Sequence, residues 1–334
     1  MTRLFTSFCA FVIATGAFAQ AGYRPAPENL LSRSQFADCR FGIFLHWGLY
    51  AMLAQGEWAM TNHNLNYREY EKLAGGFYPS KFDADAWAEA FRQAGARYVC
   101  FTTRHHDGFS MFRTAQTPYN IVDATPFARD AVKELADACH RRGLRVHFYY
   151  SLIDWWREDA PRGRTGLGTG RPAEKEDADA YFDFMKAQLT ELLTQYGNVG
   201  AIWFDGIWDQ DENPGFDWRL GELYGLIHKL QPGCLIINNH HLAPFEGEDA
   251  QAFERDLPGE NTARIFGAGD QPPAARNVPD DERHVGIQDH RPKLQIGADA
   301  RALSRRGRRT RREPAAQHRS PARRRAARGG SRTA

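Results

Sequence analysis

An aspartate that directly follows a short apolar run is the strongest candidate for a reacting group. Asp205 lies in Ala201-Ile-Trp-Phe-Asp-Gly206, where a strand of the buried type delivers a carboxylate to a turn. Such a carboxylate can attack an anomeric carbon, provided that a second carboxyl group about 5 to 5.5 Å away protonates the leaving oxygen. The residues therefore predict covalent glycoside chemistry at Asp205, and capping of the next turn is the alternative role.

Two adjacent histidines follow another apolar run, in His105-His106-Asp107-Gly108. Neutral imidazole nitrogens can donate to and accept from sugar hydroxyls. A zinc site is the alternative, since His46 and His240 are also available, but neither an H-x-x-x-H spacing nor paired cysteines support it. We expect sugar binding and no metal. Neighbouring side chains on a strand point to opposite faces, which is the expectation for these two rings.

Aromatic residues accumulate near the ends of the same apolar runs. His46, Glu57 and Trp58 form a hydrogen-bonding and stacking set suited to a pyranose with one apolar face. Tyr149 and Trp155 are further aromatic residues near the end of another such run. A single aromatic residue usually belongs to the core, so only the clustering favours a site. No dinucleotide-binding, P-loop or G-x-S-x-G motif lies between a strand and a helix, and we expect no cofactor.

Strand-length apolar runs alternate with amphipathic stretches of helical length, which predicts parallel βα units. Glycines at 95, 143 and 197 fall where helices should end. The predicted strands are 41–46, 98–103, 146–151, 201–204 and 235–238, and the predicted helices are 83–94, 130–142, 174–196 and 217–230.

Every predicted strand ends in His, Asp, Asn or Ser, which is typical of the active face of a barrel. A doubly wound sheet would use only one crevice. The sequence predicts an α/β fold, an incomplete (β/α)₈ TIM-like barrel of about five units over residues 20–267. The alternation stops after Gly267, so residues 268–334 are expected to form a poorly ordered Arg-rich tail.

The first residues have the pattern of a secretory signal peptide. Met1-Thr2-Arg3 precedes an apolar run that ends in Ala17-Phe18-Ala19, which predicts cleavage after Ala19 and a secreted or periplasmic protein without a membrane anchor. Cleavage would remove Cys9. The remaining cysteines are not paired in spacing, which predicts buried free thiols, with one disulfide as the alternative; they are Cys39, Cys100, Cys139 and Cys234.

The net charge of +2 hides two segments of opposite charge. Residues 301–334 contain 13 Arg and one Glu, or +12, which leaves −10 for the rest of the chain. An Arg-rich tail can bind nucleic acid through phosphates. This tail lacks apolar periodicity and begins abruptly, so we expect no nucleic-acid partner; the alternative predicts salt-sensitive DNA association that depends on the tail.

Long ordered motifs over residues 24–266 resemble the family 29 glycoside hydrolases, the α-L-fucosidases. They are FGIFLHWGLY, EW, TTRHHDGFSMF, TPFARDAVKELADACHRRGLRVHFYYSLIDWW, WFDG and NNHHLAPFEGEDAQAFERDLPGEN. The resemblance implies a (β/α)₈-like barrel, a retaining mechanism with two carboxylates, and a fucosylated glycan or glycoconjugate as the substrate.

The resemblance also implies roles for single residues. Asp205 takes the nucleophile position, and Glu254, five residues beyond Asp249, best matches the acid/base, with Glu248 as the reserve candidate. The positions implied for fucose binding are His46, Glu57, Trp58, His105, His106, Tyr149, Trp203 and His240.

The chain departs from the family pattern after the FERDLPGEN segment. Back-translation of residues 270–297 and reading of the next frame can give ISRLPLETCQTMNGTWGYKITDQNYKS, which resembles the expected continuation. We therefore expect a reading-frame shift near 267–269. A barrel without its closing strands would position its carboxylates poorly, so the alternative function is a non-catalytic sugar-binding remnant, which hydrolysis of an aryl fucoside distinguishes.

Overall fold

A computed structural model describes residues 22–254 and the strand at residues 285–289. All of these residues belong to one compact unit. The predicted signal segment and, apart from that strand, the predicted Arg-rich tail lie outside the described residues.

Seven parallel strands form one curled sheet, and each strand pairs with the next one along the chain. This is part of an α/β barrel, with helices on its outer side. The strands are β1 (Gly42–Leu45), β2 (Tyr98–Arg104), β3 (Arg145–Ser151), β4 (Ala201–Asp205), β5 (Leu235–Asn239), β6 (Ala250–Glu254) and β7 (Val285–Asp289).

The sequence predicts only five of these strands. β6 is not predicted because its sequence, Ala-Gln-Ala-Phe-Glu, has no continuous apolar run and because no helix separates it from β5. β7 lies beyond Gly267, where the alternation was expected to stop, and its sequence is Val-Gly-Ile-Gln-Asp. Backbone pairing places both segments in the sheet although their sequences are weak strand signals: β6 pairs with β5 at two positions and with β7 along its full length.

Four of the described α-helices follow the predicted pattern closely, and the other four, all before residue 71, were not predicted. Asp83, Asp130 and Asp177 each accept a hydrogen bond from a backbone N–H in the first turn of the helix that follows. The chain turns with positive φ at glycines 95, 143 and 197, as predicted. The α-helices are α1 (Pro27–Ala37), α2 (Tyr50–Leu53), α3 (Ala59–Asn62), α4 (Tyr67–Tyr70), α5 (Ala84–Gln93), α6 (Ala131–Arg141), α7 (Ala178–Gln195) and α8 (Leu220–Leu230).

The two faces of the sheet bury separate cores. On β3, Phe148 and Tyr150 pack toward the helices, whereas Tyr149 packs with Trp203 inside the curl. Phe36 of α1 joins the inner core and contacts the start of the sheet, so α1 covers the N-terminal ends of the strands. The opposite ends are left for the site.

The four cysteines within the described residues are free thiols, as predicted, and three of them are buried. Among the described helices, none combines the length and apolar character that crossing a membrane requires.

Candidate active site

Asp205 ends β4 and receives hydrogen bonds from two aromatic side chains. The Tyr149 hydroxyl donates to Oδ2 over 2.9 Å, and the indole N–H of Trp208 donates to Oδ1 over 3.2 Å. The residue is 9% exposed, so its carboxylate is largely shielded from water. Gly206 follows with a φ of +105°, and a Cβ there would lie 2.6 Å from Ile153. Donors that point at a carboxylate stabilise its charged form, as a nucleophile needs.

Glu254 ends β6 on the same side of the sheet, and Asn239 links it to Asp205. The Asn239 amide nitrogen lies 3.4 Å from Asp205 Oδ1 and 3.1 Å from Glu254 Oε2. These two oxygens can therefore be no farther apart than the two distances together, about 6.5 Å. The backbone N–H of Glu254 donates to His241 Nε2 over 2.8 Å, which holds the end of β6 in place.

His105 and His106 lie in the loop after β2, so the expectation of opposite faces is wrong. Their ring centroids are 4.2 Å apart, because the strand has already ended at Arg104. His105 stacks on Tyr149, with centroids 5.5 Å apart, and the Nε2 atom of His106 is 3.6 Å from Asp205 Oδ2. The structure thus brings both imidazoles to the candidate nucleophile.

Ser151 determines the tautomer of His106. The Ser151 hydroxyl donates its one hydrogen to the carbonyl of Ile153 over 2.6 Å. Its oxygen, 2.6 Å from His106 Nδ1, must then accept a hydrogen from that nitrogen. In the neutral ring, Nε2 therefore carries the lone pair and can accept a hydrogen bond from a hydroxyl group beside Asp205.

Three tryptophans form a wall beside His106. Trp58 stacks on Trp208 with centroids 5.6 Å apart and meets Trp155 edge to face at 5.3 Å. Trp58 also lies 5.6 Å from the His106 ring, measured between centroids. An aromatic wall next to polar groups suits a sugar ring with an apolar edge.

The remaining predicted residues surround this wall and the inner core. His46 directly follows β1 and stacks on Phe44, and its ring is 5.3 Å from that of His105. Trp203 precedes Asp205 by two residues and packs edge to face on Phe44 inside the curl. Glu57 is half-buried next to Trp58.

The structure does not bring His240 to these groups. Its Nε2 atom is 2.9 Å from Glu248 Oε2, and its Nδ1 atom accepts the backbone N–H of Leu242 over 3.0 Å. Glu248, the reserve acid/base, is 2% exposed and also accepts hydrogen bonds from the Tyr224 hydroxyl and the Phe245 N–H. Both side chains belong to a buried network that supports the β5–β6 connection.

Trp208 and Asn239 belong to the site but were not predicted from the sequence. Trp208 lies on a short 3₁₀ turn after β4, and neither its spacing nor its neighbours mark it as functional. Asn239 does end a predicted strand, and that polar ending is the one available signal. Within the described part of the chain, no three His, Cys, Asp or Glu side chains are grouped as metal ligands would be.

Asp107, next to the two histidines, should make stability depend on pH. Burial raises its pKa to about 7, although hydrogen bonds from the Tyr70 hydroxyl and the Phe109 N–H oppose the rise. A carboxyl group with a raised pKa contributes full stability below its unfolded value of 3.8 and loses it as the pH rises through about 7. Unfolding free energies between pH 4 and 8 should fall by up to about 1.4 kcal/mol per pH unit relative to Asp107→Asn. Parallel curves for the two proteins would contradict this assignment.

Paired carboxylates among imidazoles and indoles, at the C-terminal ends of parallel barrel strands, are typical of glycoside hydrolases. The chain belongs to the α-L-fucosidase family, whose model matches residues 10–269. This confirms the resemblance seen in the motifs.

Individual relatives agree with the family. The chain is 37% identical to α-L-fucosidase isoenzyme 1 from Paenibacillus thiaminolyticus, with a TM-score of 0.61 over 67% of this chain and 55% of that chain. An α-L-fucosidase from Lactobacillus casei, solved with its α-L-fucose product, is 32% identical, with a TM-score of 0.56 over 61% of this chain and 70% of that chain. Tissue α-L-fucosidase of Macaca fascicularis is 31% identical over 63% of this chain and 47% of its own length. The chain spans about half the length of such curated relatives, for example 48% of the Caenorhabditis elegans protein.

Proposed function

We propose that this site removes terminal α-L-fucosyl residues from glycans with retention of anomeric configuration. The observation that carries the proposal is the shared contact of Asp205 and Glu254 with one Asn239 nitrogen. The distance between Asp205 Oδ1 and Glu254 Oε2 is therefore at most about 6.5 Å. This limit is compatible with the carboxyl separation of roughly 5 to 5.5 Å in retaining enzymes and only just reaches the range found in inverting enzymes. The Lactobacillus casei relative, solved with α-L-fucose, supports the identity of the sugar.

In the first step, an Asp205 oxygen attacks the anomeric carbon as the bond to the aglycone oxygen breaks and Glu254 transfers its proton to that oxygen. The Tyr149 and Trp208 donors hold Asp205 in line for this attack. In the second step, Glu254 takes a proton from water, the water oxygen bonds to the anomeric carbon, and Asp205 leaves.

The remaining groups explain how a fucosyl unit would be held. His106 Nε2 accepts a sugar hydroxyl beside Asp205, and the neighbouring imidazoles of His46 and His105 offer further polar contacts. The Trp58 side of the site offers apolar surface to the methyl group of a 6-deoxy sugar.

Hydrolysis of 4-nitrophenyl α-L-fucoside, followed by proton NMR, tests the proposal. The expected result is release of nitrophenol, with α-L-fucose as the first sugar product before mutarotation. 4-Nitrophenyl β-D-glucoside is the control substrate. β-L-Fucose as the first product would overturn the retaining mechanism, and saturable fucose binding without turnover would identify a sugar-binding remnant.

Glu254→Gln should lower the rate with this aryl substrate by about 10²-fold, because general acid and base assistance is lost. Added azide should restore turnover and give α-L-fucosyl azide, since azide replaces water in the second step without needing a base. Glu248→Gln is the matched control: it removes a charge from the buried network and should leave the rate per folded molecule within a few fold. Azide rescue of Glu248→Gln, or no effect of Glu254→Gln, would place the acid elsewhere.

We further propose that the segment after Gly267, which here includes β7, is read out of frame, and that the intact gene encodes other residues there as the closing strands of an eight-stranded barrel. The abrupt Arg-rich composition and the continuation recovered in the next frame support this. Resequencing the gene is the direct test, and activity should rise in a frame-restored chain. An intact gene that encodes this same tail would contradict the proposal.

We also propose that residues 1–19 direct secretion and are removed. Mass spectrometry of the exported protein should then show Gln20 as its first residue. A mature chain that retains Met1 would contradict this.

A further inference from the structure

Asn239 lies at the point where the two candidate carboxylates come together. It ends β5, directly beside Asp205 in the register of the sheet, and it is 3% exposed. An amide nitrogen carries two hydrogens, which is enough to donate one to each carboxylate. We propose that Asn239 is a positioning residue that holds Asp205 and Glu254 at a fixed separation by donating to both. This inference rests on the catalytic roles proposed above.

The chemistry of the contact requires a donor at this position. Asp205 Oδ1 and Glu254 Oε2 are both acceptors when ionised, so an oxygen in place of the amide nitrogen would face two like charges. The Asn239 Oδ1 atom has no hydrogen-bond partner among the described residues, so the two carboxylates alone determine the orientation of the amide.

This contact also affects when each carboxylate is charged. A hydrogen bond donated to an ionised carboxylate lowers its pKa. Asp205 must be ionised to attack, whereas Glu254 must be protonated for the first step, so the two pKa values set opposite limbs of the pH–rate profile. Loss of the Asn239 donor is therefore expected to displace both limbs of the profile.

The adjacent Asn238 provides a matched control on the other face of the same strand. Its amide nitrogen donates to the Tyr224 hydroxyl over 2.8 Å, within the buried network that contains Glu248. A substitution there removes the same side chain from the same strand without touching either carboxylate.

The test compares pH profiles of kcat/KM for Asn239→Ala, the near-isosteric Asn239→Asp and Asn238→Ala. Both limbs should move upward in Asn239→Ala and further in Asn239→Asp, in which a third carboxylate replaces the shared donor. Carboxyl ¹³C titration of the labelled chain measures the same two pKa values without turnover. Asn238→Ala should lower thermal stability and leave both limbs in place.

The inference and the proposed function fail differently. If Asp205→Asn and Glu254→Gln lower turnover as expected while Asn239→Ala and Asn239→Asp leave both limbs of the pH profile in place, the positioning role is wrong and the mechanism stands. If Asp205→Asn retains full activity, the mechanism itself is wrong.

Discussion

Asp205→Asn is expected to lower kcat/KM for 4-nitrophenyl α-L-fucoside by about 10³-fold or more, because a neutral amide cannot form the covalent intermediate. The change preserves the volume of the side chain. An amide oxygen can still accept from the Trp208 indole N–H and the Asn239 amide, and the amide nitrogen can donate to the Tyr149 hydroxyl oxygen. The fold should therefore survive, and circular dichroism and the melting temperature should remain close to those of the unchanged chain.

Asp209→Asn is the matched control. Asp209 lies four residues further on and is also buried, but its Oδ1 accepts from the hydroxyl and backbone N–H of Thr165. The activity of Asp209→Asn should stay within a few fold of that of the unchanged chain. A shorter variant, Asp205→Ala, leaves room for azide and should yield β-L-fucosyl azide, the opposite anomer to that expected from Glu254→Gln. Unchanged activity in Asp205→Asn, or α-L-fucosyl azide from Asp205→Ala, would exclude Asp205 as the nucleophile.

Arg104→Met is expected to destabilise the fold by about 3 to 5 kcal/mol, because it leaves Asp154 buried without its cation. Arg104 and Asp154 are 0% and 1% exposed, and their nitrogen and oxygen lie 2.8 Å apart. Arg104 also donates to the Ser151 carbonyl over 2.6 Å and to the Tyr181 hydroxyl over 2.9 Å. Removal of the guanidinium therefore leaves several buried acceptors without a donor.

A β-bulge places Arg104 in this pair. The register between β2 and β3 shifts between Thr102 and Arg104, so Arg104 lies beside Tyr150 and its side chain packs among residues on the helix side of the sheet. Without this shift, Arg104 would lie on the same face of the sheet as Thr102, and its guanidinium would point to the inner side of the curled sheet.

Asp154 in turn holds the loop after β3. Its Oδ1 atom accepts the N–H groups of Trp156 and Arg157. Gly108, with a φ of +76°, passes so close that a Cβ would lie 2.4 Å from the same oxygen. The ion pair thus connects the loop after β2, which carries His105 and His106, to the loop after β3, which carries Trp155.

Urea unfolding measures the predicted loss, and a lower melting temperature by roughly 6 to 20 °C should accompany it. Arg92→Met is the control, since its solvent-exposed pair with Glu89 on α5 should contribute little to the stability. The double variant Arg104→Met, Asp154→Asn should recover part of the stability, because no uncompensated charge remains and an amide oxygen still accepts the Trp156 and Arg157 N–H groups. A loss below about 1 kcal/mol in Arg104→Met would show that water reaches Asp154 and compensates it.

The sequence by itself determined the βα units and the end of the sheet that carries polar groups. Apolar runs followed by Asp, His or Asn mark β2, β4 and β5, and an aspartate begins each of three helices that a glycine ends. These features depend on neighbours along the chain, where backbone geometry and side-chain capping act over a few residues. The nucleophile candidate and the histidine pair follow from the same local pattern.

Only the tertiary structure decided which polar side chains meet. Asn239 contacts both carboxylates, whereas the adjacent His240 contacts Glu248 instead. The two side chains point in different directions at the end of β5. Trp208 reaches Asp205 from a turn without any distinctive motif, and a single bulge assigns Arg104 to the helix side. Side chains 15 to 50 residues apart come within hydrogen-bond distance through the curl and register of the sheet, and those depend on pairing between strands rather than on spacing along the chain.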